Sequence, residues 1–113
     1  MGEQVLEHVD EQMVRMAAAF LGGVGSTHEE MCGALSAGVM LIGALRGPRN
    51  MGDDDRPMRQ AVAHYRDRFI HEIGPTKCGA LRDGLYGKDG REPCSVLVQR
   101  AARILLEVLE QYV

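Results

Sequence analysis

With 113 residues, 45% of them apolar and 26% charged, the chain is long enough to bury one core and too short for two independent ones, so a single domain over residues 1–113 is expected. The formal charge of −3 is spread over mixed acidic and basic positions with no basic block, which argues against nucleic-acid binding through phosphates. No apolar run approaches the roughly 18 residues a spanning helix needs, so membrane insertion is not expected either.

The N-terminal stretch Met1–Glu11 is acidic and lacks a basic segment followed by an apolar one, so it does not read as a signal peptide. A cytoplasmic location is the expectation, and with it free thiols rather than static disulfides. Aromatic residues are scarce at 4%, with no Trp, so Leu, Val, Ile, Ala and seven Met must fill the interior. The methionines read as flexible gap-fillers rather than ligands.

In chain order, residues 3–20 predict a first helix. Val5, Val9, Met13, Ala17 and Phe20 recur at helical spacing, and Glu3, Glu7, Asp10, Glu11 and Arg15 occupy its wet side. Leu21–Gly25 ends it, with Gly22 and Gly23 suited to the left-handed conformation of a helix stop. A second helix is predicted from Thr27 or Glu29, because Ser26 and Thr27 each have a Glu three residues later, the spacing of a capping box. Met31, Leu35, Val39 and Ile42 form its apolar stripe. Its many small residues, such as Gly33, Gly38 and Gly43, place it at the centre of the fold, where close packing offsets their poor helix propensity.

Gly47-Pro48 stops that helix, and Asn50–Asp55 reads as a loop. Asp54 or Asp55 is expected to cap a third helix with Pro57 in its first turn, burying Met58, Ala61, Val62, Tyr65, Phe69 and Ile73. After Gly74-Pro75, a short helix over residues 76–86 carries Cys78, Leu81 and Leu85. Pro93 suits the first position of the last helix, whose seam is Leu97, Ala101, Ile104, Leu105, Val108 and Tyr112, with Val98 and Leu109 beside it. No strand has a convincing pattern. The predicted fold is therefore all-α, a compact helical bundle of about four longer helices and one short one. A homodimer would add apolar burial to so small an aromatic-poor bundle.

The chemistry worth following lies in Cys32, Cys78 and Cys94. Each falls near a predicted helix start, where unpaired amide N–H groups favour a thiolate, most at Cys94, less at Cys78 and weakly at Cys32; burial acts the other way. Cys32 and Cys78 are 46 positions apart and Cys78 and Cys94 are 16 apart, with no C-x-x-C pair, which argues against a thioredoxin-like dithiol and an ordinary zinc knuckle. Helix packing can still bring distant thiols together. Cys78 and Cys94 are the expected neighbours, since one short helix and a loop separate them.

The stretch Cys32-Gly33-Ala34-Leu35-Ser36-Ala37-Gly38, after the glycine-rich turn Phe20-Leu21-Gly22-Gly23-Val24-Gly25, resembles the C-G-A-x-x-G element of a family of redox-active proteins named for the cysteine pattern C-GCAxxG-C-C. The resemblance continues through Leu41-Ile42-Gly43 and returns at Phe69, Gly74, Cys78, Leu81 and Cys94, covering most of the chain from Phe20 to Leu105. It implies a helical fold and redox activity carried by cysteines, with no defined substrate. The family pattern has four cysteines, the first in an additional helical segment. This sequence has three, and its first helix contains none.

Three functions follow as expectations. The leading one is a thiol-based redox protein that forms a reversible disulfide, between Cys78 and Cys94, with Cys32 as a resolving thiol and a redox partner protein to exchange with. The second is a metal or iron-containing cofactor held by Cys32, Cys78 and Cys94, with His28 or His71 as a further ligand; no particular cofactor is implied. The third is a non-catalytic helical assembly or partner-binding module whose cysteines are core residues. Gly22–Gly25 lacks a following G-K-S/T, and Asp53-Asp54-Asp55 lacks a calcium-loop pattern, so neither is a phosphate or calcium site.

Overall fold

The computed structural model describes residues 9–87 and 92–112. Five helices follow one another: α1 (Glu11–Ala18), α2 (Gly33–Arg46), α3 (Arg56–Glu72), α4 (Cys78–Gly84) and α5 (Cys94–Gln111). Among the described residues there is no extended strand, only two isolated bridges, so the all-α expectation holds. Helices α2, α3 and α5 pack on one another around Ile42, Ala61, Tyr65, Phe69, Ile104 and Leu105, all fully buried. The helical period of the sequence marks these positions correctly. The glycine-rich α2 is central, as expected, and Gly38 shows why. A Cβ there would lie 2.4 Å from two ring carbons and the hydroxyl oxygen of Tyr65, so only glycine lets α3 come this close.

Two predicted boundaries move. The first helix begins at Glu11, because Asp10 turns out of it as the cap: its Oδ1 accepts the Met13 N–H at 2.8 Å. Aspartate competes for backbone donors in this way, and that favours caps over helix interiors. The predicted portion over residues 3–8 lies outside the described residues. None of the residues of α1 is buried, and Phe20, expected in its apolar stripe, is 40% exposed.

The second helix starts at Gly33, with Cys32 as its N-cap and no side-chain cap. The capping boxes do not form. The Thr27 hydroxyl instead donates to the Gly23 carbonyl at 2.7 Å and accepts from the Glu29 N–H. The segment after it is drawn out by a distant partner. The Cys32 N–H donates to Thr76 O at 2.7 Å, and the Cys78 N–H donates to Glu30 O at 2.8 Å, with Met31 opposite Lys77 in an antiparallel bridge. A long-range ladder has overridden a local helix signal.

Between α1 and this ribbon the backbone turns left-handed. Residues 22–26 all have positive φ, between +58° and +72°, and His28 follows at +63°. Gly22 and Gly23 take the conformation expected of them. Val24 and Ser26 do so against the clash between Cβ and the following carbonyl that normally forbids it. Smaller adjustments occur further on. The short helix spans Cys78–Gly84 rather than residues 76–86, Leu85 is its C-cap and 47% exposed, and Pro93 caps α5 from outside instead of standing in its first turn.

Candidate thiol groove

The short ribbon sets the site. In antiparallel pairing, alternate residues share a face, so Cys32 and Cys78 fall on the same side, diagonal to each other. Gly23 presses on the ribbon from the left-handed turn. A Cβ at Gly23 would meet the Cys78 Cβ at 2.6 Å and the Glu30 carbonyl at 2.9 Å, so both its φ and its surroundings demand glycine. Cys94 comes from the other side, at the first residue of α5. The loop leading into α5 is fastened by Arg100, which donates to the Tyr86 hydroxyl at 2.8 Å and pairs with Glu92 at 2.7 Å, while the Gly87 N–H donates to Glu92 O.

These elements enclose a groove of about 480 Å³ onto which Cys32, Cys78 and Cys94 all open. Its apolar wall includes Ala17, Leu21, Ala37, Leu97 and Val98; His28 and Arg82 supply its basic groups. The helix packing thus gathers thiols that the linear chain keeps apart. All three are free; Cys32 and Cys78 are buried, and Cys94 is exposed. His71 is exposed in the last turn of α3 and does not line the groove. Among the described residues no three His, Cys, Asp or Glu side chains are grouped to hold a metal ion.

Burial dominates the two inner thiols. It pushes Cys32 above the ordinary thiol value of 9.0; the N–H groups of Ala34 and Leu35 pull the other way, and a charged Cys94 would add to the rise. Cys78 is also raised by burial, then by the charge of Cys32, against the pull of Arg82 and with a smaller push from Cys94. The helix-start effect expected at these two positions is therefore outweighed. Beneath them Tyr65, fully buried, is pushed strongly upward by burial and then by Cys32, and its hydroxyl donates to the Ala34 carbonyl at 3.4 Å. It steadies the first turn of α2, on which Cys32 sits.

Arg82 escaped the sequence reading. Its signal was present: it stands four residues after Cys78 on α4, one helical turn away and on the same face.

An all-α chain with three free thiols on one groove defines a class of small helical thiol proteins. The family model described as "Putative redox-active protein (C_GCAxxG_C_C)" matches residues 1–108, and the chain belongs to that family. No curated protein and no solved structure matches the chain. Measured strictly against the C-G-A-x-x-G element, the sixth position is Ala37, and the glycine comes one place later at Gly38. Among the described residues, no helix is long and apolar enough to cross a membrane.

Proposed function

We propose that this chain is a thiol-disulfide redox protein in which Cys94 makes the first attack, Cys78 closes the disulfide and Cys32 is the third, reserve thiol. The observation that supports this most directly is the convergence of three thiols from separate parts of the chain on one groove. The exposed Cys94 is the sulfur an incoming substrate meets first. The inner thiols stay protonated at neutral pH because burial raises them, so each becomes a nucleophile only when a proton leaves it. Closing a disulfide requires the Cα atoms to come within about 7 Å, and in this structure all three cysteines are free.

The test is a thiol count on folded protein in glutathione buffers of graded potential, followed by peptide mass mapping. The expected result is the loss of two thiols together and a peptide pair joining Cys78 to Cys94. Three thiols that remain free and unreactive at strongly oxidising potentials would end the proposal. A role confined to the core predicts that serine at 78 and 94 changes stability but no redox property.

A further inference from the structure

Two grooves meet at α1 and α2. Ala17 and Ala37, which line the thiol groove, also line a second groove of about 550 Å³ between those two helices. Every described side chain on the second groove is apolar, among them Met13, Met16, Met40, Leu41 and Ala44. Helix α1 buries none of its residues, so this surface is left open rather than packed shut. Three of its lining residues are methionines, whose unbranched, polarisable side chains adapt to apolar guests of different shape. The two basic groups of the thiol groove, His28 and Arg82, also border a neighbouring polar cleft with Glu29, Lys77 and Asp83. Ala17, Leu21, Leu97 and Val98 give much of the remaining wall to carbon. Each groove has the volume of a small-molecule pocket.

Building on the redox reading above, we infer that the groove between α1 and α2 is a binding site for the aliphatic part of a small, uncharged disulfide whose sulfurs meet Cys94. One arm of the substrate lies between α1 and α2, and the other lies against Leu97 and Val98. The Cys94 thiolate attacks one substrate sulfur. The substrate S–S bond breaks, the first alkanethiolate leaves and takes up the proton that Cys94 released, and a mixed disulfide remains. The Cys78 thiolate then attacks the Cys94 sulfur, the mixed bond breaks, and the second alkanethiolate leaves with the proton from Cys78. The substrate has gained two electrons and two protons; Cys78 and Cys94 have lost them and share a disulfide.

The experiment mixes fully reduced protein with dimethyl, diethyl, dipropyl or dibutyl disulfide and follows thiol loss in a single turnover. Each rate is divided by that of a simple thiol with the same disulfide, which removes the intrinsic reactivity of the reagents. The expected result is a normalised rate that rises about threefold for each methylene added per arm, as apolar surface leaves water. In Ala37→Leu the larger side chain fills the space where the two grooves meet, and the rise should flatten. The slope of the unaltered protein judges the inference even if the variant does not fold. A normalised rate that does not rise with chain length, or a rise that Ala37→Leu leaves unchanged, overturns the inference while leaving the redox reading standing. Faster oxidation by insulin, a folded protein disulfide, than by dibutyl disulfide does the same. So does a preference that disappears as protein concentration rises, the sign of a second copy in the groove. Failure of every disulfide to oxidise any thiol overturns the redox reading itself.

Discussion

The two sides of α2 are built differently. One side presents Leu35, Gly38 and Ile42 to α3 and α5, and the side chains it meets there are fully buried. The other side, with Ala37, Met40, Leu41 and Ala44, faces α1 across an apolar groove of about 550 Å³. There α1 buries none of its residues, and Val14 and Met16 remain 56% and 62% exposed. The thiols lie along the seam where the tight side meets the loose one. Regions with few buried contacts open at low free-energy cost, and the proposed disulfide would benefit from such a location.

The largest effect that would separate the two sides is a core truncation. Ile104→Ala should cost roughly 2–5 kcal/mol in urea unfolding, whereas Met16→Ala on α1 should stay within about 0.5 kcal/mol. Equal costs would break the comparison. A melting temperature that rises with protein concentration would show that copies of the chain associate, as the homodimer expectation requires.

Next comes Gly38→Ala, where the added methyl meets a Tyr65 ring that has no room to retreat; a loss of about 1–3 kcal/mol is expected. On the loose side the sign reverses. Val24 holds a left-handed φ of +69° with a β-branched side chain, so Val24→Gly should stabilise the protein by about 1 kcal/mol. A destabilisation would mean that the Val24 side chain carries packing worth more than its strain.

The smallest effect at neutral pH is a titration. Cys32, Cys78 and Tyr65 all hold their protons more tightly when folded, so the unfolded chain releases them first. Their contribution is fully present below 9.0, the ordinary thiol value, and is lost as pH climbs above it. Urea midpoints should fall across this alkaline range, and Tyr65→Phe should flatten the part above 10.0, the ordinary phenol value. A midpoint that does not change with pH would contradict the burial of these groups.

Much of the tight side could be read from the chain. Ala61, Tyr65 and Phe69 in α3, and Leu97, Ala101, Ile104 and Val108 in α5, follow the helical period because one face of each helix meets the core along its whole length. The start of α2 could not be read in the same way. Ser26 and Thr27 carry an intact local helix signal, and its competitor is a backbone ladder to residues 76–79, far away in sequence. The cysteines were identified as the chemistry by residue type and by family resemblance, but their shared groove depends on that same ladder. Spacing alone pointed to Cys78 and Cys94 and left out the diagonal approach of Cys32 to Cys78. Arg82 was missed although its four-residue offset from Cys78 is visible, because one arginine on a seven-residue helix gains meaning only once the groove is known.

The layout of the ribbon and α5 also allows the choice of resolving sulfur to be seen by calorimetry. A covalent link from Cys94 to Cys78 ties off a ring of 16 positions, while one from Cys94 to Cys32 encircles 62, including all of α2 and α3. On chain-entropy grounds the smaller ring restrains the denatured polymer by about 3 kcal/mol and the larger by about 4 kcal/mol. Oxidation state would therefore be recorded as heat resistance, and the size of the gain would say which knot had been tied.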